Sequence, residues 1–325
     1  MTAWPLISVV IPTYNRANLI TDALESVLQQ SYRPVEVIVV DDASEDNTRR
    51  VVEAWGLVNN LSSVFTLRYI QQAKLGGNAA RNRGIEEATG ELIAFLDSDD
   101  TWHTEKLEKQ AAYFTESSVG AVYCGVQHKD FTTGNILEPS GRLYPQGYLL
   151  EEMLVRDVTA QTSAYIVRKP VFEKVGCFDT DLLARQDWDM WIRIACDFKI
   201  ACVPELLVDF REHAGERTAS YPQKEINGYR AIRKKYAPLL KKASLPCRLQ
   251  ARSTYLKRMG RVHFKHKISK PKAFAYALGA IACWPLDFDT WAAGTGMLLP
   301  QNFRKSLHRS WNTLFGRTRL AIRSH

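Results

Sequence analysis

With 325 residues, of which 46% are hydrophobic and 24% charged, the chain has the composition of a globular protein that can form a sizeable core. Its six cysteines are scattered, with no CxxC pair and no Cys/His cluster, which argues against a zinc site and predicts reduced, structural thiols. The net charge of +8 is unevenly distributed, because residues 211–325 hold 24 Lys and Arg against five Asp and Glu, so the first 210 residues are acidic.

The first hundred residues alternate between short apolar runs and segments with helical periodicity. The helical segments fall at residues 19–28, 48–55 and 78–88, and the apolar runs, which predict buried strands, fall at 6–11, 35–40, 67–70 and 92–96. This alternation predicts an α/β fold: a Rossmann-like, mostly parallel sheet with helices on both faces and a ligand beyond the carboxyl ends of the strands. Because residues 1–11 have the pattern of a buried strand and not of a signal peptide, we expect a cytoplasmic protein.

After residue 96 the pattern becomes less regular. We predict a helix around residues 104–116, a strand at 119–124, further elements at 162–167 and 187–196, and two short closing strands at 200–203 and 206–210. These elements form the acceptor half of the same domain.

Polar residues follow three of the predicted strands, at 12–16, 41–44 and 97–100. In open α/β sheets such loops converge on one ligand. Asp97 and Asp99 place two carboxylates on the same side of an extended segment, where Mg²⁺ or Mn²⁺ could bind together with substrate phosphates. The alternative is an acidic turn that caps the following helix.

Arg81 and Arg83 lie in a glycine-flanked segment, residues 76–84. Glycines allow close approach of the backbone to a ligand, and guanidinium groups bind phosphate oxygens, so this segment is a candidate for contact with a donor. An ordinary surface helix with two arginines is the alternative. The chain has no GxGxxG after its first strand and no GxxxxGK[ST], which disfavours hydride transfer and P-loop ATP hydrolysis.

Together these segments resemble the inverting family 2 glycosyltransferases, whose fold is the A-type nucleotide-diphospho-sugar transferase fold. The resemblance covers residues 6–218. It rests on residues 9–16, 39–44, 80–84, 90–100, 175–179, 186–193 and 210–213. It implies a donor base surrounded by Pro12, Tyr14 and Asp42.

The same resemblance implies the other roles. Arg81 lies near the diphosphate, Asp97 near the ribose or the metal, and Asp99 is the principal metal ligand. Asp187 is the general base, which deprotonates the acceptor hydroxyl as it attacks the anomeric carbon opposite the leaving diphosphate and so inverts the configuration. His213, in the closing element of the family, approaches the metal or the diphosphate.

Asp189 competes with Asp187 for the role of base. Two residues are about 200° apart on a helix, so the two carboxylates do not face the same site. An N-cap role for Asp187 is compatible with catalysis. The chain departs from the family at Gln186, where Glu is frequent, and at Cys177, where Gly is frequent.

The predicted catalytic domain spans residues 1–220, with a nucleotide-binding half at 1–100 and an acceptor half at 101–220. A basic, mainly helical C-terminal region follows at 221–325. Its apolar run at 273–284 is about half the ~20 residues that a spanning helix needs, so we expect a buried or interfacial segment.

The last part of the chain has the pattern of a basic amphipathic helix. Phe303, Leu307, Trp311 and Leu314 recur at helical spacing among basic residues, which suits the surface of an anionic membrane. Trp284 and Trp291 would add interfacial anchors, and the protein would lie peripherally on the cytoplasmic face of the inner membrane. The alternative is that these helices pack on the catalytic domain.

We therefore predict a metal-dependent, inverting glycosyltransferase. Its partners are a nucleotide-sugar donor, with UDP as the expected nucleotide, and an acceptor in a cell-surface glycan or its lipid-linked precursor. A nucleotide-sugar-binding scaffold without turnover is the alternative. A nucleic-acid partner is not expected, because no stacking or groove-reading module accompanies the basic residues.

Overall fold

The structure, a computed structural model, describes residues 4–59, 62–137, 144–212 and 221–285. The chain divides into two compact units. One consists of Met1–Met153 and Asp157–Arg217, and the other of Leu154–Arg156 and Thr218–His325.

The first unit is built on an eight-stranded mixed sheet with the strand order β3-β2-β1-β4-β7-β6-β8-β5. The strands are β1 Ile7–Thr13, β2 Val35–Asp41, β3 Phe65–Gln71, β4 Leu92–Phe95, β5 Thr101–Trp102, β6 Val119–Asp130, β7 Ile166–Arg168 and β8 Lys199–Glu212. Strands β1 to β4 are parallel, β7 is antiparallel to both of its neighbours, and β8 is parallel to β6. The prediction of a mostly parallel α/β sheet is confirmed.

Helices separate the strands of this unit. They are α1 Ile20–Leu28, α2 Thr48–Val58, α3 Gly77–Glu87, α4 Lys106–Ala111, α5 Leu150–Val155, of which only the first four residues belong to this unit, α6 Lys169–Val175 and α7 Gln186–Asp197. Helix α3 lies very close to the sheet, since a Cβ atom at Gly84 would lie 2.2 Å from Cγ1 of Val10. A glycine at this position lets α3, the helix that carries Arg81, pack closely against β1.

Three predicted elements differ in extent from the observed ones. The two strands predicted at 200–203 and 206–210 are one strand, β8, in which Pro204 and Glu205 bulge out between the pairs Cys124↔Val203 and Gly125↔Leu206. Proline lacks the N–H that a ladder needs, so the interruption in the pattern marks a bulge and not a strand end.

The second difference is a shorter helix near residue 106. α4 ends at Ala111 and continues as a 3₁₀ helix over Ala112–Thr115. The third is the segment predicted at 162–167, which begins with a 3₁₀ turn at Thr162–Ala164 before β7 starts.

The second unit is helical over its described residues, which confirms the predicted helical C-terminal region. Its helices are α8 Pro222–Lys235, α9 Ala237–Lys242, α10 Leu245–Lys265 and α11 Lys270–Cys283. Ser244 caps α10 and Ser269 caps α11, each accepting a hydrogen bond from a backbone N–H three residues later. Ser253 of α10 donates to the carbonyl of Ala280 of α11 at 2.8 Å.

Within the described residues, no helix has both the length and the hydrophobicity needed to cross a membrane. The amphipathic segment around Phe303–Leu314, together with Trp291, lies outside the described residues.

Candidate active site

The loop after β1 is fastened to the loop after β2 by backbone-to-side-chain hydrogen bonds. Asn15 N donates to Ser44 Oγ at 2.8 Å, Arg16 N to Thr48 Oγ1 at 2.9 Å, and Ala17 N to Asp46 Oδ2 at 3.1 Å. Asn15 has a left-handed backbone (φ 51°), a conformation that asparagine tolerates better than most residues. The polar residues after β2 therefore position the residues after β1.

Asp42 shapes the loop that precedes α3. Its Oδ1 accepts hydrogen bonds from Leu75 N at 2.7 Å and Gln72 Nε2 at 2.9 Å, and its Oδ2 accepts one from Gly76 N at 2.8 Å. Gly76 has φ +94°, which L-residues rarely adopt. The carboxylate of Asp42 thus holds the turn through which the chain enters α3.

The other two residues predicted at the donor base differ in exposure. Pro12 is buried within β1, in register with Val40 of β2. Tyr14 is partly exposed, and its hydroxyl accepts a hydrogen bond from Lys74 Nζ at 2.5 Å. Tyr14 therefore keeps exposed ring surface, although Lys74 Nζ lies 4.1 Å from its centroid, whereas Pro12 lies within the strand.

Arg81 and Asp97 form a close ion pair. Arg81 Nη2 lies 2.5 Å from Asp97 Oδ1, and the arginine is 8% exposed. The guanidinium carbon lies 5.8 Å from the centroid of the Phe178 ring. The structure thus brings the predicted diphosphate ligand and the first residue of the acidic loop together at the carboxyl end of β4.

Asp99 lies in the same loop, close to two arginines. Its Oδ2 is 3.9 Å from Nη2 of Arg16, and its carbonyl accepts a hydrogen bond from Arg211 Nε at 2.8 Å. Arg211 also donates to Asp22 Oδ2 at 2.5 Å. Because Arg211 is the penultimate residue of β8 and Asp22 lies in α1, the acidic loop is held by distant parts of the chain.

Asp100, the last acidic residue of the loop, is buried. Its Oδ2 accepts a hydrogen bond from Ser163 Oγ at 2.6 Å, and the same hydroxyl accepts one from Asp97 N at 3.1 Å. Burial, followed by the charges of Asp97 and Asp99, holds the pKa of Asp100 well above its usual range. Asp100 is therefore a structural member of the loop.

Within the described residues, no three His, Cys, Asp or Glu side chains gather as a metal site. Asp97 and Asp99 supply hard carboxylate oxygens, which fit Mg²⁺ or Mn²⁺ where phosphate oxygens complete the coordination. His213, the other predicted metal ligand, lies outside the described residues.

The two acidic residues at the start of α7 differ sharply in environment. Asp189 is fully buried and its Oδ2 lies 3.0 Å from Nε of Arg193. Asp187 is partly exposed, and its Oδ1 accepts a hydrogen bond from Trp188 N at 2.8 Å. The N-cap is Arg185, so Asp187 lies in the first turn, where the helix dipole favours a negative charge. Of the two, only Asp187 is accessible to an acceptor.

A second carboxylate, Asp157, lies near Asp187. Burial among protein atoms, and then the negative charge of Asp187, raises the pKa of Asp157 to about 6. Protein atoms surround Asp157 closely, although part of its surface is exposed to solvent. Thr159 orients it through its N–H at 3.2 Å and its hydroxyl at 3.1 Å, both donated to Asp157 Oδ1.

Helix α3 connects the two halves of the site. Asn82 exchanges two hydrogen bonds of 2.8 Å with the backbone of Phe178, and Asn78 donates to the carbonyls of Asp179 and Leu182. These contacts hold the loop that leads into α7 against the helix that carries Arg81. The sequence analysis did not predict the roles of Asn78 and Asn82, although their i, i+4 spacing places both on one face of α3 and indicated a shared contact.

The fold and these residues define an A-type nucleotide-diphospho-sugar transferase fold. Residues 8–176 match the family model described as Glycosyl transferase family 2, and the chain belongs to that family. The resemblance stated from the sequence is confirmed.

Relatives and solved structures agree with this assignment. The glycosyltransferase TuaG of Bacillus subtilis, named for teichuronic acid biosynthesis, is 40% identical over 126 residues, which cover 38% of this chain and 48% of TuaG. The chain spans 66% or less of the length of the first curated relatives that it matches.

Two solved structures show a similar fold. Residues 1–349 of S. aureus TarS in complex with UDP-GlcNAc give a TM-score of 0.57 at 20% identity, covering 89% of this chain and 90% of that one. The mannosyltransferase PcManGT from Pyrobaculum calidifontis, in complex with GDP-Man and Mn²⁺, gives 0.56 at 20% identity, covering 96% and 88%.

Proposed function

We propose that the protein transfers a sugar from a nucleoside-diphosphate sugar to an acceptor hydroxyl, with inversion at the anomeric carbon. The observation that supports this most directly is the presence of two arginine–aspartate pairs, Arg81–Asp97 and Arg16–Asp99, at the carboxyl ends of β1 and β4. Cationic and acidic groups together at this edge suit a metal-bound diphosphate.

The donor is held by residues of the first hundred. Tyr14 offers its ring to the base, Asp42 keeps the neighbouring loop in place, and Arg81 donates hydrogen bonds to the diphosphate. Asp99 is the principal ligand of Mg²⁺ or Mn²⁺, with Asp97 near the ribose or the metal. When bound, the divalent ion neutralises the charge that develops on the leaving diphosphate.

Asp187 is the general base of the proposed reaction. A carboxylate held within hydrogen-bond reach of a hydroxyl accepts its proton as a general base. The acceptor oxygen then attacks the anomeric carbon from the face opposite the diphosphate, which inverts the configuration.

UDP is the expected nucleotide and a cell-surface glycan, or its lipid-linked precursor, the expected acceptor. The complexes of TarS with UDP-GlcNAc and of PcManGT with GDP-Man and Mn²⁺ support a nucleotide-sugar donor and a divalent ion. The name of TuaG supports a role in cell-surface polymers.

We further propose that the helical unit contacts an anionic membrane on the cytoplasmic face. Residues 221–285 contain 16 Lys and Arg and one acidic residue, Glu225. On α11, Phe274 and Leu278 are 40% and 51% exposed and lie one turn apart, which forms an apolar stripe beside basic residues.

A thermal-shift experiment with UDP and UDP-sugars, each with Mn²⁺ and with EDTA, tests the proposed transferase. A bound ligand stabilises the fold by about 2.7 kcal/mol at a concentration 100 times its Kd. We expect a Mn²⁺-dependent shift in the wild type, loss of that shift in Asp99→Ala, and retention of the shift without sugar transfer in Asp187→Asn.

Glu53→Gln is the matched control, because Glu53 is an exposed carboxylate paired with Arg49 on α2. It should behave as the wild type in binding and transfer. A Mn²⁺-dependent shift that persists unchanged in Asp99→Ala would contradict the metal-ligand role. Full transfer by Asp187→Asn would contradict the role of base, and binding without transfer in the wild type would favour the scaffold.

A further inference from the structure

Arg16 has a rigid backbone and a loosely held side chain. Its N–H donates to Thr48 Oγ1 at 2.9 Å, and its carbonyl accepts hydrogen bonds from Leu19 N at 2.9 Å and Ile20 N at 3.0 Å. Within the described residues its guanidinium makes a single hydrogen bond, of 3.4 Å, to the carbonyl of Asn15. The base of the side chain is therefore fixed, while its tip is held only by one long hydrogen bond among the described residues.

The contact between Arg16 and Asp99 is an ion pair without a hydrogen bond. Arg16 Nη2 lies 3.9 Å from Asp99 Oδ2, beyond hydrogen-bond distance. The pair formed by Arg81 and Asp97 is different, since it is 2.5 Å long and its arginine side chain is 10% exposed. Asp97 is thus hydrogen-bonded to its arginine, whereas the contact between Asp99 and Arg16 is longer and more exposed.

Space is available for the Arg16 side chain to move. It is 28% exposed and lines an open cavity of about 380 Å³. Asn18, Phe131 and Thr132 form other parts of the wall. A guanidinium that leaves Asp99 can therefore rotate into this cavity without displacing core side chains.

The positive charge of Arg16 beside Asp99 disfavours the binding of a second cation there. A divalent ion bound to Asp99 would be repelled by the guanidinium, and the repulsion is strong because both charges lie at a partly desolvated carboxylate. A diphosphate that arrives with the ion reverses the sign of the interaction, because guanidinium groups bind phosphate oxygens.

We propose that Arg16 is the counter-ion of Asp99 in the metal-free site and opposes a divalent cation until a diphosphate enters with it. This inference rests on the proposed metal-dependent transferase. It makes the affinities for metal and nucleotide mutually dependent, with Arg16 supplying part of the coupling. The ion alone binds weakly, and the ion and the nucleotide bind well together.

The experiment measures Mn²⁺ binding directly, by the loss of the electron paramagnetic resonance signal of free Mn²⁺, with and without UDP. Without UDP, we expect Arg16→Gln to bind Mn²⁺ about tenfold more tightly than the wild type, or about 1.4 kcal/mol. The factor by which UDP increases Mn²⁺ affinity should be about tenfold smaller in Arg16→Gln than in the wild type. Arg16→Lys, which keeps the charge, should stay close to the wild type.

Arg49→Gln is the control for the loss of one positive charge, because Arg49 is exposed on α2 and pairs with Glu53. It should leave Mn²⁺ affinity unchanged. Melting curves in EDTA establish that each variant folds.

Each result decides for or against the proposal. Arg16→Gln with Mn²⁺ affinity equal to or below that of the wild type would overturn it, because a purely structural role weakens binding or leaves it alone. If the affinity of the wild type for UDP does not depend on Mn²⁺, the proposed metal dependence is wrong and this inference is wrong with it. Metal-dependent UDP binding with an unchanged Arg16→Gln would refute the inference alone.

Discussion

Ser163 supports the acidic loop from beneath through two side-chain hydrogen bonds. Its hydroxyl accepts from Asp97 N at 3.1 Å and donates to Asp100 Oδ2 at 2.6 Å, and its carbonyl accepts from Trp102 Nε1 at 2.8 Å. The residue is fully buried. Ser163 is thus a positioning residue, which holds the loop that carries Asp99 without touching a ligand itself.

We predict that Ser163→Ala weakens the Mn²⁺-dependent binding of UDP several-fold. The substitution removes the partner of the partly buried Asp97 N–H and one hydrogen-bond donor of the buried Asp100 carboxyl, which costs about 1–3 kcal/mol of stability. Part of that loss appears as looser placement of Asp97 and Asp99. Urea unfolding and UDP titration in the presence of Mn²⁺ measure the two effects separately.

Ser26→Ala is the matched control for this variant. Ser26 is a buried serine in α1 whose hydroxyl donates to the carbonyl of Ala23 at 2.8 Å. It should lose some stability and keep its affinity for UDP. Equal affinity losses in the two variants would show that Ser163 acts through global stability alone.

Sequence reasoning at the residue scale identified the acidic residues but not their partners. Asp97 and Asp99 follow a strand in the chain, which makes them visible as a local pattern. Their supports, Ser163 and Arg211, come from segments more than sixty residues away. Such pairing is set by the fold, so a single sequence carries no local signal for it.

Helix α4 buries a lysine completely. Lys106 Nζ lies 4.0 Å from the centroid of the Trp102 ring, and among the described residues it has no hydrogen-bond partner. Burial lowers the pKa of Lys106 to about 8. The cation–π contact offsets only part of the cost of removing an ammonium group from water.

We predict that Lys106→Met raises the free energy of unfolding by about 2 kcal/mol at pH 7, since methionine fills a similar volume without a charge. In the wild type the folded pKa lies below the unfolded value of about 10.4. The unfolded chain therefore binds more protons between pH 8 and pH 10, and wild-type stability rises with pH across that window. The variant should lack this rise.

Urea unfolding of both proteins at pH 7, 8, 9 and 10 measures this difference. Lys174→Met is the control, because Lys174 is exposed and pairs with Asp197. Its stability should follow the wild-type dependence on pH. A Lys106→Met variant that is less stable than the wild type at pH 7 would contradict the prediction.

At the scale of elements, the parallel strands were predictable and the irregular ones were not. β1, β2 and β4 are runs of mainly apolar residues, so their burial on both faces could be predicted from the sequence, whereas β3 contains Arg68 and is buried only at Phe65. In β8, Pro204 and the exposed Glu205 give the sequence pattern of a strand end, although β8 pairs with β6 on both sides of them. A bulge is defined by the pairing of two strands, so the sequence of one strand alone does not distinguish it from a strand end.

Charge divides the whole molecule along the chain. The first 210 residues carry 19 Lys and Arg against 30 Asp and Glu, and the remainder carries 24 against five. The division was visible in composition, because net charge depends on counting residues and not on folding. It is consistent with the proposed contact between the basic unit and an anionic membrane.

We predict that the full chain binds vesicles of phosphatidylglycerol and phosphatidylcholine, but not vesicles of phosphatidylcholine alone, and that about 0.5 M salt releases it. Each lysine near an anionic surface contributes about 1 kcal/mol, so replacing Lys265, Lys270 and Lys272 by glutamine should weaken binding about a hundredfold. Vesicle sedimentation measures the change. A control that removes the same charge from the other unit, with glutamine at Arg49, Arg50 and Lys174, should bind as the wild type. Equal losses in the two triple variants would indicate a response to net charge alone, and tighter binding to RNA than to the anionic vesicles would replace the membrane with a nucleic-acid partner.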